Sequence, residues 1–272
     1  MTLRTLPVRV FLLLGQGMSM PLRLLVQYRH LFFLLLRRDL VDRTSGTVLG
    51  FVWLLAQPAM MMVAYWFLLG LVLKVRMPGE VAFVPYFLTG MLPWLMISDA
   101  LGRATGVLSE MAALYQRMNF PIALLPLLPL VLSALIYGVV FIGVTAVVAP
   151  WQHMLYVPPL LVLLVIWLMP FAYLLSVFGL FIRDVRQIIP LALMMVMFLS
   201  PILYMPQMLP ARLQPWMVLN PVADWLAVVH GLIQGLPFDA VHVLRPWLWW
   251  LLLAGPAWLL FRRAEPHMRE AL

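Results

Sequence analysis

An all-α membrane fold with six transmembrane helices is what this 272-residue sequence predicts, and three observations carry it. Apolar residues make up 65% of the chain and charged residues 10%, with mean hydropathy +1.01; a soluble domain is about half apolar and about a quarter charged. The run Val48 to Leu73 is unbroken by charge, and at about 26 residues it exceeds the roughly 20 that an α-helix needs to cross about 30 Å of hydrocarbon. The basic residues sit beside such runs rather than inside them.

The chain begins with Arg4 and Arg9 before Val10 to Leu14, an apolar core too short for a signal peptide and without an A-x-A site, and reads as an uncleaved cytoplasmic segment. Placed at 100° intervals, Arg23, Gln27, His30, Arg37 and Arg38 share one arc of the stretch Leu22 to Leu40. Leu22, Leu25, Phe32, Phe33, Leu36 and Leu40 gather elsewhere, with Arg29 and Asp39 as exceptions. This is the pattern of an amphipathic interfacial helix, serving as a membrane-surface anchor or as a docking face for a cytoplasmic partner. The collar Arg37 to Gly46 leads into the first span, Val48 to Leu73, in which Leu, Val and Phe outweigh Gln57 and Pro58.

After a turn at Pro78-Gly79 the second span covers Val81 to about Ile97, with Pro85, Gly90 and Pro93 requiring neighbouring helices to satisfy freed carbonyls. Ala100 to Asn119 reads as a cytoplasmic loop with its own short helix. The third span is Phe120 to Ala149 and the fourth Met154 to Ile182, closed by Arg183-Asp184-Val185-Arg186. The fifth runs from Ile188 to about Met205, and the sixth has its core at Trp247 to Phe261, ended by Arg262-Arg263. Between the last two, Pro206 to Pro246 is apolar enough at Trp216 to Ile233 to suggest a seventh span. That would put Asp224, His230 and Asn220-Pro221 at membrane depth, so a re-entrant or surface-lying helical pair on the outer side is expected instead. With both termini inside, fourteen of the 18 Lys and Arg fall on the cytoplasmic side and four outside. The division is therefore 1–46, a cytoplasmic segment with the interface helix; 47–262, the six-span domain; and 263–272, a cytoplasmic tail.

The chemistry is sparse. The chain has no cysteine, hence no disulfide, thiol nucleophile or thiolate metal site. Lys74 is its single lysine and lies in no G-x-x-x-x-G-K-[ST] pattern, so no P-loop holds ATP here. The five histidines stand in separate segments without metal spacing, and no metal or other cofactor is expected in this chain. The net charge of +8 is explained by anionic headgroups and the inside bias, so nucleic acid is not an expected partner. Span interiors are almost free of the ionisable groups a proton-coupled carrier requires; Asp99 at the end of the second span reads as the partner of Arg103 at i+4. Of the aromatic residues, Trp151, Trp247 and Trp249 suit an interfacial belt. Trp53, Tyr65 and Trp66, with Trp94 and Tyr137 on the next spans, are candidates for stacking on sugar rings.

Several short motifs in series resemble one family, the type-2 permeases of ABC exporters that move lipid-linked polysaccharides such as O antigen, capsule or teichoic acid. Arg38-Asp39-Leu40, then Arg43-Thr44-Ser45-Gly46-Thr47-Val48-Leu49-Gly50-Phe51-Val52-Trp53 with Gln57-Pro58, are similar to that family's R-D-L, R-x-x-G-x-x-L-G-x-x-W and N-P-like segments. Gly90-Met91-Leu92-Pro93-Trp94 resembles its G-L-L-P-W. Phe120-Pro121 with Leu125-Pro126, Arg183-Asp184, Ser200-Pro201-Ile202-Leu203-Tyr204 and Leu219-Asn220-Pro221 continue in order, so the resemblance covers about Arg37 to Leu236. The chain departs where Ile122 and Ala123 stand in place of a frequent basic residue, and where His230 stands near an expected arginine.

The resemblance implies a homodimer in a bacterial inner membrane, with two copies of a separate ATPase subunit that hold ATP and Mg, and a lipid-linked polysaccharide as substrate. It implies ATPase coupling or lipid-headgroup contact at Arg37, Arg38, Asp39, Arg43, Glu110 and Arg117, with membrane lipids around the collar. Trp53, Tyr65, Trp66, Trp94 and Tyr137 are the implied translocation pathway, and Asn220, Pro221 and Asp224 the outer gate. The alternative is a membrane-embedded glycosyl or phosphoglycosyl transferase, which requires a carboxylate or metal cluster that the scattered Asp39, Asp42 and Asp184 do not form in sequence. A proton-driven flippase is the third reading.

Overall fold

The computed structural model describes residues 20–79, 81–112 and 121–268, and among the described residues the regular structure is all helical, without a strand. The expectations placed on residues 1–19, on Arg117 and on the last tail residues lie outside these limits.

The helix α1, Arg29–Thr44, is followed by α2, Val52–Tyr65, which continues as a π-helical stretch, Trp66–Val72. Then come α3, Phe83–Ala104, and a short α4, Val107–Glu110. A 3₁₀ turn at Ile122–Leu124 opens α5, Leu127–Val148, and another at Trp151–Tyr156 opens α6, Val157–Phe181. The chain continues with α7, Val185–Leu199, 3₁₀ turns at Pro206–Met208 and Gln214–Leu219, α8, Pro221–Gln234, and α9, Ala240–Met268.

Among the described residues, four stretches are long and apolar enough to cross a membrane: Val52–Val72, Ile122–Val148, Trp151–Phe181 and Ala240–Met268. They correspond to the first, third, fourth and last expected spans. The second expected span is α3, whose 22 residues also carry Asp99 and Arg103, and the fifth is α7, only 15 residues and about 22 Å long at 1.5 Å per residue. The segment before the last span forms one regular helix, α8, preceded by 3₁₀ turns, and α9 takes up Ala240 to Pro246 as its first turns. Gly235, left-handed at φ 72°, ends α8 in the conformation that glycine adopts without a Cβ penalty.

The centre of the bundle is α3. It packs against α2, α5, α6, α7 and α8, and Phe87, Met91, Met96 and Ile97 are fully buried along it. A second seam joins α6 to α9, where Tyr173 meets Trp258 and Phe261 edge-on at centroid distances of 5.7 and 5.0 Å. Indole donors close the same seam: Trp167 Nε1 bonds the Pro246 carbonyl at 2.8 Å and Trp250 Nε1 that of Ile166 at 2.7 Å. Both bonds satisfy a buried indole, and the second also satisfies the Ile166 carbonyl, which Pro170 four residues on leaves without its helical N–H donor. Close approach is built in at Gly179, where a Cβ would overlap the Thr105 carbonyl after α3.

The periphery is different. In the most apolar window of α2 only 11% of residues are buried, and α7 exposes Ile188, Leu191, Met194, Met195, Phe198 and Leu199. On α1 the buried residues are Phe32, Leu35 and Leu36, while Phe33 and Leu34 face outward. Phe33 thus flanks the packed face without joining it, a correction to its expected grouping with Leu36.

Candidate functional site

Two polar regions lie at opposite ends of α3. At its C-terminal end, Arg43 from the last turn of α1 reaches Asp39 (Nη2 to Oδ2, 3.1 Å) and Asp99 on α3 (Nη1 to Oδ2, 3.8 Å). Asp99 also accepts hydrogen bonds from Arg103 Nε at 2.8 Å and from Ser133 Oγ on α5 at 2.6 Å. Two arginines and two aspartates balance, so the cluster needs no counter-ion although the Arg43 side chain is only 9% exposed. One carboxylate thereby ties three helices together. Tyr137, one turn beyond Ser133 on α5, lies within electrostatic reach of Asp99, Arg103 and Arg43.

At the other end, Tyr86 stacks on His230 of α8 with ring centroids 3.9 Å apart, and its hydroxyl donates to the Pro201 carbonyl at 3.0 Å. His230 Nε2 lies 3.0 Å from the Tyr86 carbonyl, and a Cβ at residue 90 would stand 3.0 Å from that nitrogen, so Gly90 makes room for the imidazole. Where the resemblance suggested an arginine, the position holds a buried ring. Gln234 donates to Thr89 Oγ1 beside it. Asn220 caps α8, accepting from the Val222 N–H at 3.0 Å, while its amide donates to Ser200 Oγ at 2.8 Å, so one side chain fixes α8 to the end of α7. Pro221 occupies the first helical position, where its missing N–H costs nothing. Asp224, nearly fully buried, takes two contacts from Arg245 Nη1, at 3.0 and 3.4 Å. Burial pushes its carboxyl up to about 6, against the downward pull of Arg245 and His242.

Two cavities flank this end. One of about 540 Å³ between α3, α6, α7 and the turns before α8 is almost wholly apolar, with Trp94, Trp167, Phe171 and Trp216 in its wall. The other, about 560 Å³, lies under Tyr86 and His230 and is lined by Gln207, Gln214, Asp224, His242 and Arg245.

The expected site residues separate into these regions. Arg43 and Asp39 belong to the cluster, whereas Arg37 is exposed and Arg38 pairs only loosely with Asp42 at 3.5 Å, both 62% exposed. Glu110 is exposed on α4, its carboxylate folded over Gly106. The five aromatic candidates do not converge, and no ring contact joins any two of them. Trp53 and Trp66 point outward from α2, Tyr65 leans on Phe87, Trp94 is buried on the apolar cavity, and Tyr137 sits near the charged cluster.

With this arrangement in view, residues 30–232 match the ABC-2 type transporter family. The chain belongs to that family. It is 28% identical over 171 residues to the O-antigen export system permease protein RfbA of Myxococcus xanthus, covering 60% of this chain and 64% of that protein. It is 24% identical over 175 residues to the permease of the same name from Klebsiella pneumoniae, covering 61% and 66%. The chain spans just under two thirds of the length of these relatives.

In this ABC-2 family member, sequence reasoning missed Ser133 and Arg245. Ser133 is an ordinary small residue in an apolar run, and nothing in that run marks it. Arg245 was discoverable, because a carboxylate in the apolar stretch around Asp224 requires a cation from elsewhere in the chain.

Proposed function

We propose that this chain is the transmembrane channel subunit of an ATP-driven exporter that moves a lipid-linked, O-antigen-like polysaccharide across a bacterial inner membrane. The observation that carries it is the family match over residues 30–232, together with relatives named as O-antigen export permeases. The working unit is a homodimer of six-span subunits with two ATPase subunits, which hold the ATP and Mg. In this reading α3 and α7 complete the six spans, α1 lies along the cytoplasmic face, both termini are cytoplasmic, and α8 with the turns before it forms the outer re-entrant element. The boundaries 1–46, 47–262 and 263–272 keep their meaning as interface segment, membrane domain and tail. No observation favours the transferase alternative, and the family points to transport rather than catalysis.

The residues then take graded roles. Arg37 and Arg38, exposed on α1, and Glu110 on α4, with Arg117 beyond it, meet the ATPase or lipid headgroups. Arg43 and Asp39 carry that contact inward, since Arg43 bridges to Asp99 and through it to α5. Closure of the ATPase pair on ATP presses α1, and a two-state shift of α3 and α5 follows. The polymer path lies between subunits, where the outward aromatics Trp53 and Trp66 of α2 can stack on sugars; Tyr65, Trp94 and Tyr137 support its wall. Asn220, Pro221 and Asp224 hold the outer element.

The test is co-purification. Extracted in mild detergent, the tagged chain brings down a P-loop ATPase in equal stoichiometry, and charge reversal at Arg37 and Arg38 weakens the association. A chain that purifies alone and turns over a sugar donor without ATP overturns the proposal.

A further inference from the structure

The polar cavity of about 560 Å³ at the Tyr86 end of α3 is within the roughly 300–1,000 Å³ range of small-molecule sites, and no role described above uses it. Its chemistry is specific. Tyr86 and His230 stack together, Gln207 and Gln214 contribute two amides, of which Gln214 Nε2 also donates to the Leu209 carbonyl at 3.0 Å, and Asp224, Arg245 and His242 add their polar groups among apolar wall residues such as Val81, Met205, Val218 and Leu236. Asp224 neutralises Arg245 but engages only Nη1, which leaves Nε and Nη2 of the guanidinium without a hydrogen bond among the described residues. The cavity thus offers planar donors and acceptors in several directions with little net charge. A pyrophosphate or carboxylate calls for concentrated positive charge, and an acyl chain calls for the apolar walls of the neighbouring cavity, from which this one is separated at Met217. A ligand rich in uncharged hydroxyls matches what remains, because each hydroxyl both donates and accepts and the amide and guanidinium planes satisfy adjacent pairs of them.

We propose that this cavity, formed within one subunit by the start of α3, the turns before α8, α8 itself and the start of α9, is a binding subsite for an uncharged glycosyl unit. It rests on the exporter reading, in which this end is the outer one and the glycosyl unit belongs to the polymer being moved. The subsite holds the unit after passage and disfavours backward sliding.

The experiment uses the complex of this chain with its ATPase in lipid nanodiscs. The probe is the surface polysaccharide of the source cell, freed from its lipid by mild acid, and ring-proton saturation transfer reports contact. Ala227→Phe, whose new ring enters the cavity, abolishes the transfer. Gln207→Ala, in a turn away from the helix core, weakens binding about three- to tenfold, as expected for loss of one or two hydrogen bonds. Because Arg245→Gln alone strands a buried carboxylate, the paired Asp224→Asn/Arg245→Gln change serves as the second probe of the charged wall; it weakens binding about tenfold or more. ATPase activity of Ala227→Phe and Gln207→Ala without polysaccharide stays at the unmodified level. If the unmodified complex exports polysaccharide in cells yet shows no transfer, or shows equal transfer in Ala227→Phe and Gln207→Ala, the subsite is wrong and the exporter stands. If the unmodified chain binds no ATPase and supports no export, the exporter reading fails and takes the subsite with it.

Discussion

Replacing Asp99 with alanine tests whether the cluster at the end of α3 holds the bundle together. The change removes the 2.8 Å bond from Arg103, the 2.6 Å bond from Ser133 and the 3.8 Å contact to Arg43. Charge-assisted hydrogen bonds contribute about 1.5–3 kcal/mol each when partly buried, but Arg103 is 45% exposed and recovers solvation, so its share is nearer 0.5 kcal/mol. Ser133 is fully buried and loses its acceptor, which costs about 1–2 kcal/mol. Arg43, 9% exposed, keeps Asp39 but loses half of its neutralisation, for about 1 kcal/mol more. The expected destabilisation is therefore about 2.5–3.5 kcal/mol. In the same assay Asp42→Ala, which breaks a 3.5 Å pair with both partners 62% exposed, costs about 0.5 kcal/mol or less. Thermal unfolding of the detergent-solubilised chain, followed by tryptophan fluorescence, ranks the two variants. A cycle with Arg43→Met and Asp99→Leu then measures the coupling between α1 and α3 directly. Equal midpoints for Asp99→Ala and Asp42→Ala would refute the idea that this cluster is a tie between helices.

Gly179→Ala forces a Cβ into the Thr105 carbonyl, a backbone atom that cannot swing aside, and lowers stability by about 2 kcal/mol or more in the same thermal assay. Gly102→Ala, on the same α3 with open space around its Cα, raises it by about 0.5–1 kcal/mol through helix propensity. Asn220→Ala loses both the cap of α8 and the tie to Ser200, for about 1–2 kcal/mol, whereas Asn220→Asp keeps the cap and recovers about half of it. Pro93→Ala restores an N–H to the middle of α3 but removes a buried ring, so the midpoint changes by less than about 1 kcal/mol while hydrogen exchange around Thr89 to Pro93 slows.

What could be read in the chain was whatever depends on runs and composition. The four stretches apolar and long enough to cross a membrane fall where the hydropathy places them, and the i,i+4 pairing of Asp99 with Arg103 follows from helical spacing alone. Boundaries moved where local chemistry overrode hydropathy. The first span begins at Val52 rather than Val48 because Gly46 and Gly50, at φ 77° and 49°, hold a turn. The helix expected as the second span, α3, runs to Ala104 rather than Ile97 because a charge satisfied on the helix's own surface does not end a helix. The helix expected as the fifth span, α7, starts at Val185 and ends at Leu199, before Ser200-Pro201. The inward face of α1 could not be chosen from its own sequence, since Phe32 and Phe33 are equally apolar and only the bundle decides between them. The same limit hid the Arg43–Asp99 pair, which depends on which helix ends meet.

Both polar regions sit on one helix. Tyr86 and Asp99 are thirteen residues apart on α3, about 20 Å at 1.5 Å per residue, and Pro93 lies midway between them. Packing around this helix is close on nearly every side, with Phe87, Met91 and Met96 without solvent exposure, and close-packed interiors pass displacement on rather than absorb it. In the proposed exporter a movement of α1 is delivered through Arg43 to Asp99 and from there to the Tyr86–His230 stack, with the missing hydrogen bond at Pro93 as the place where α3 can bend. The outward faces of α2 and α7 are apolar and loosely held, and lipid offers no hydrophobic penalty for uncovering them. On that proposal motion is cheap at the periphery and transmitted at the centre, and the contrast carries a push on one face of the bundle to the polar cavity at the other.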